Sequence, residues 1–189
     1  MATNKLNPKR VLAIDPTSRG FGFVVLEWPT TLVDWGVKDV RQQNESKTLR
    51  KVSKLIQHYR PEIIVLEDYE GSRRSERIRT LIEKVSRLAV REGVKIRRIP
   101  GSRRKKVFKT FHAHNKHEIA HAVAQQLPEL APQLPPYRKA WMSEDYQMAI
   151  FDAAALALTY FHSRPVSGAE SKARALRSIR NTRRFELCR

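Results

Sequence analysis

In 189 residues, 37 lysines and arginines stand against 19 aspartates and glutamates, a formal charge of +18, while apolar residues make up an ordinary 41%. That length suffices for one domain with a real core plus a tail, and that charge implies a polyanionic partner, nucleic acid ahead of an acidic membrane surface. There is no run of 18 apolar residues and no signal-peptide pattern, and the one cysteine, Cys188, excludes an internal disulfide. The composition reads as a protein of the reducing cytoplasm with no membrane attachment.

In chain order, a short basic leader (1–10) precedes "VLAI", a buried-type strand over about 11–15 that closes on Asp15. Pro16 follows, which cannot extend a ladder. A turn at Ser18-Arg19-Gly20 leads to a second strand over about 21–28 and a third around 32–37. In "SKTLRKVSKLIQHY" the residues Leu49, Val52, Leu55 and Ile56 recur at helical spacing, and Pro61 ends the helix. "EIIVLED" is another apolar run that closes on acids, Glu67 and Asp68. Ile78, Leu81, Ile82, Val85, Leu88 and Ala89 mark one face of the next helix, with Gly93 as its stop and "VKIRRIP" as a strand beyond. A basic connector, "GSRRKKVFKTFHAHNK", leads to the helix "HEIAHAVAQQL". Four prolines in "PELAPQLPPYR" predict a loop. The last helix is expected from near Ser143, a good N-cap, through "EDYQMAIFDAAALALTYF". Residues 163–189, with eight basic and two acidic residues, read as a mobile basic tail beyond a domain spanning 1–162.

Three meandering strands followed by strands alternating with helices imply a mixed sheet covered by helices. A right-handed crossover through the first helix lays strand 63–66 parallel to strand 11–14 and brings Asp15 and Glu67 to one sheet edge. Asp152 interrupts the most apolar helix of the chain, among small residues that let a helix press closely on a sheet. A buried acid needs a cationic partner. One such acid alone is ordinarily a cap or an ion-pair partner; three, each ending or interrupting an apolar run in a strongly basic chain, form an all-oxygen site for Mg²⁺ or Mn²⁺. Two such ions about 4 Å apart activate water against a phosphodiester.

"AIDPTSRGFG", "PEIIVLEDYEG", "VKIRRIP" followed by "NKHEIAHAVA", and "FDAAALAL" occur in the order found in RuvC-type Holliday junction resolvases, and the chain resembles that family over about residues 10–162. The resemblance implies an RNase H-like five-stranded mixed sheet and a metal-dependent endonuclease acting as a homodimer on branched DNA such as the four-way junction. Asp15, Glu67 and Asp152 match the family's metal-binding acids. Thr17 replaces the usual glycine after Asp-Pro, and Ala149 stands where the family commonly has a fourth acid. The nearest substitutes are Asp145, two helical turns before Asp152, and Glu144; both also suit a helix first turn.

Arg103, Arg104, Lys105, Lys106 and Lys109 are expected to bind phosphates without reading sequence. Lys116 sits where the resemblance puts a DNA-contacting lysine. Arg73 and Arg74 could grip the strand near the cut, and Tyr69 lies close to the position of a base-stacking aromatic in the family. His117 and His121 spell His-Glu-x-x-His, a zinc-protease signature, but no further ligand supports zinc and the setting favours a DNA-facing helix. Two readings compete with a junction-cutting enzyme: a non-catalytic nucleic-acid-binding module of the same fold, and a related nuclease acting on RNA–DNA hybrids or transposon ends.

Overall fold

The computed structural model describes residues 10–40, 44–70, 74–139 and 141–163; most of the basic leader, Arg73 and nearly all of the basic tail lie outside the described residues. Three antiparallel strands, β1 (Arg10–Thr17), β2 (Gly20–Glu27) and β3 (Thr31–Asp39), are followed by α1 (Glu45–Tyr59), β4 (Ile63–Asp68), α2 (Glu76–Arg91) and β5 (Lys95–Pro100). Then come α3 (Gly101–Lys109), α4 (Lys116–Gln126), a 3₁₀ helix (Pro128–Gln133) and α5 (Met148–His162). The five strands form one mixed sheet in the order β3-β2-β1-β4-β5, with β4 parallel to both β1 and β5.

Strand alternation divides the core. Leu12, Ile14, Phe23 and Val25 face α1 and α2, whereas Val11, Ala13, Val24 and Val65 face α4 and α5. On the first side α1 and α2 bury only a stripe each, and Asn44 caps α1 by accepting from the Lys47 amide at 3.0 Å. On the second side α5 is buried on every face from Met148 to Tyr160. Its alanines let it sit close to β2, so close that a Cβ on Gly22 would stand 2.2 Å from the Ala149 carbonyl oxygen.

Four boundaries differ from the sequence expectation. β1 runs through Asp15 and Pro16 to Thr17, paired with β2 throughout. Its pairing with β4 stops at Ala13↔Val65, and a proline is tolerated where that partner is lost. The basic connector is helical over Gly101–Lys109, anchored by the fully buried Phe108. One apolar anchor among basic residues is too weak a pattern to announce a helix. The proline-rich stretch includes a 3₁₀ helix. Finally, α5 begins at Met148 rather than Ser143, because the Asp145 carboxylate accepts from the Gln147 amide at 2.8 Å and holds a turn there.

Candidate active site

The site begins with register. Asp15 and Glu67 each lie two residues beyond the last β1–β4 pair, Ala13↔Val65, so alternation keeps both on the face that α5 covers. Beyond that pair β4 stays bonded to β5 as far as Asp68↔Pro100 while β1 stays with β2 as far as Thr17↔Gly20. The two strands therefore splay, and the acids line the opening. Asp152 on α5 meets them from above. All three are buried, at 2%, 6% and 7% exposure.

Cations interleave with these carboxylates. The Arg74 Nη2 bridges Asp15 Oδ1 at 2.5 Å and Glu67 Oε2 at 2.6 Å, and its Nη1 donates to the Pro16 carbonyl at 3.1 Å. Arg104, from α3, lies 3.4 Å from Glu67 and 3.6 Å from Asp152. Its Nε and Nη1 are buried yet donate to no acceptor among the described residues. Lys116 opens α4, whose start is fixed by a capping box between Asn115 and Glu118. Its ammonium reaches Asp152 at 2.7 Å and also Glu144.

Among the described residues charge remains in excess on the acidic side: four carboxylates, Asp15, Glu67, Glu144 and Asp152, face three cations. Burial, with the added repulsion of Asp152 and Glu67, pushes the Asp15 carboxyl up to about 7 despite Arg74 and Lys116. For Arg74, burial works against the charged form and is outweighed by Asp15 and Glu67, which hold it up. Lys116 is likewise held up by Asp152 and Glu144 against burial.

Among the described residues no three His, Cys, Asp or Glu side chains form a ready cage for a metal ion. The reason is visible in the geometry: a guanidinium nitrogen already bridges the two strand-borne acids. The chemistry of the donor set, oxygen only and with excess negative charge, is nonetheless that of a site for a hard divalent ion.

The remaining sequence candidates divide. Arg103, Lys105, Lys106 and Lys109 are exposed on α3, whereas Arg74 and Arg104 turn inward onto the acids. Asp145 is exposed and spends its carboxylate on the turn before α5; Glu144, held by Lys116, is the neighbour joined to the acidic cluster. Tyr69 is half-buried, with its hydroxyl donating to Glu83 and the Arg98 guanidinium 5.4 Å above its ring. In the His-Glu-x-x-His stretch Glu118 serves the helix cap, and His117 and His121 stack edge to face with centroids 4.6 Å apart. No helix among the described residues is long and apolar enough to cross a membrane.

Solved structures decide the architecture. The chain superposes on Thermus thermophilus RuvC in complex with a Holliday junction substrate with a TM-score of 0.63, at 21% identity, over 82% of this chain and 95% of that one. This is the RuvC fold. A second structure of Thermus thermophilus RuvC matches with a TM-score of 0.60 at 20% identity, again over 82% of this chain and 95% of that one. No protein-family model and no curated protein sequence matches the chain. In the RuvC fold as built here, β1, β4 and α5 deliver the acids, and α3, α4 and the turn before α2 deliver the cations.

Proposed function

We propose that this protein is a divalent-metal-dependent endonuclease that cuts branched DNA, Holliday junctions first among them, and works as a homodimer. The observation that carries the reading is the convergence of Asp15, Glu67 and Asp152 from three separate elements, linked in series by Arg74 between the first two and Arg104 between the last two. The RuvC fold, shared with an enzyme solved on its junction substrate, supports it. Asp15, Glu67 and Asp152 would hold Mg²⁺ or Mn²⁺, in one or two sites. Bound there, a divalent ion supplies Lewis acidity and a water of lowered pKa for phosphodiester hydrolysis.

The chain's own groups then have distinct tasks. Arg74, which now sits between Asp15 and Glu67, would be released by an ion held there, leaving its guanidinium available to a backbone phosphate. The two buried Arg104 donors lie beside Glu67 and Asp152, where a phosphate oxygen would satisfy them. Lys116 holds Asp152 and Glu144 in place. The exposed lysines of α3 and the basic tail supply sequence-independent affinity.

The test is Asp15→Asn. It should bind a four-way junction as tightly as the parent chain while cleavage falls by about a thousand-fold or more, a loss of about 4 kcal/mol in transition-state stabilisation. Cleavage retained by that variant would remove Asp15 from catalysis. The Arg74, Arg104 and Lys116 contacts favour a second reading, a non-catalytic nucleic-acid-binding module. A junction left intact by the parent chain in Mg²⁺, as it is in EDTA, would establish that alternative, and comparing junction, flap, RNA–DNA hybrid and linear duplex sets the substrate.

A further inference from the structure

Eight large hydrophobic residues are exposed among those described, and four of them, Tyr137, Trp141, Met142 and Tyr146, lie in the single segment between the 3₁₀ helix and α5. Trp141 is 80% exposed and Tyr137 73%, far more than a ring retains when it packs on its own fold. Local hydrogen bonds order the described residues around these rings, and one more ties the C-terminal end of the segment to the fold. Arg138 donates to the Met142 carbonyl at 2.7 Å, and the Met142 amide donates to the Lys139 carbonyl at 3.0 Å. Gln147 donates to Gln133 at 2.8 Å, fixing the segment to the 3₁₀ helix.

One of these rings carries a cation and another meets a histidine. The Lys139 ammonium sits 5.3 Å from the Trp141 centroid, and His117 meets Tyr137 edge to face at 5.3 Å. Of the two acids in the segment, Glu144 is neutralised by Lys116, and Asp145 is engaged with the Gln147 amide. The patch adjoins the acids directly. Lys116 touches Asp152 with the same ammonium that holds Glu144, and its chain neighbour His117 contacts Tyr137. Flat aromatic faces alternating with cations, next to a nuclease-type cleft, match the chemistry of unpaired nucleotides, whose bases stack on rings while phosphates meet the charges. A duplex offers its phosphates but keeps its base faces covered. Tyr69, which its sequence position suggests for stacking, has its hydroxyl and ring already engaged.

We propose that Tyr137 and Trp141 form a stacking platform for unpaired DNA bases, placed so that a strand opened at a branch point is held beside Asp152. The proposal rests on the nuclease reading only for the identity of the DNA. In the full-length protein, a short oligo-dT strand should quench tryptophan emission. Trp141→Ala should abolish the quench and weaken oligo-dT binding by about ten-fold, with Trp141→Phe restoring most of the affinity. Binding of a blunt duplex of equal length should stay within about two-fold, because phosphate contacts carry it. Equal losses on single strand and duplex, or no quench in the parent chain, would overturn the proposal. So would a Trp141→Ala chain that keeps its oligo-dT affinity but loses self-association, since the patch would then be an interface between copies. Junction cutting reads out separately: quenching without any cutting in Mg²⁺ removes the nuclease reading and leaves the platform, and cutting without quenching does the reverse.

Discussion

Arg74 and Arg104 sit within the cleft, while Arg103, Lys105, Lys106 and Lys109 project from α3 into solvent. The inner pair is enclosed by buried carboxylates, so removing a partner leaves an uncompensated charge at low dielectric. The outer group meets water on every side, and each member contributes little to the fold. Residue type alone assigns the same phosphate-binding role to both. Depth separates them.

Substitutions should separate them further. Arg74→Ala deprives Asp15 and Glu67 of their shared cation, and in EDTA it should cost about 4 kcal/mol of stability, read by urea unfolding. Adding Mg²⁺ should recover most of that loss, and titration calorimetry should show Mg²⁺ bound about ten-fold more tightly than by the parent chain. A stability loss that Mg²⁺ does not recover would mean that Arg74 is structural and does not hold the metal's place. The inner group also depends on α5 lying tight on β2. Gly22→Ala drives a methyl into the Ala149 carbonyl and should cost about 3 kcal/mol, read in the same unfolding experiment.

Proton linkage offers a subtler probe. The Asp15 carboxyl stands at about 7 in the fold against an ordinary 3.8, so the folded chain binds more protons than the unfolded chain between those values. Stability contributed by this group is therefore fully present below about pH 4, falls as pH rises towards 7 and levels off above it, by about 4 kcal/mol in all. Melting curves in EDTA should show the parent chain losing more stability than Asp15→Asn across that window. The outer group should respond least. Lys105→Ala or Lys106→Ala should leave the melting temperature unchanged, weaken junction and duplex binding alike by about three-fold, and reduce the salt slope by about one.

The carboxylates of the site were legible because each breaks an apolar run: Asp15 after "VLAI", Glu67 after "IIVL" and Asp152 within "IFDAAA". Strand alternation plus one right-handed crossover is enough to bring the first two to one edge, and the sheet order follows from the same reasoning. Helix α3 stayed hidden because its burial depends on one residue, Phe108, with no period to reveal it. The start of α5 was misplaced because Ser143 and Asp145 satisfy the same capping preference, and only backbone geometry chooses between them. The inward turn of Arg74 and Arg104 left no local trace at all, since it depends on contacts 59 and 37 residues away in sequence, to Asp15 and Glu67. The exposed aromatics before α5 did leave one: "PPYRKAWMSEDY" interleaves rings with cations.

The all-round burial of α5 has a consequence for how this molecule can change over evolutionary time. A helix gripped on every side cannot slip by one residue without rotating Asp152 about 100° away from its partners. The segment just ahead of it carries no such constraint, since its rings face solvent. Selection is thus free to lengthen, shorten or redecorate residues 134–147, while the placement of Asp152 against Asp15 and Glu67 is inherited intact.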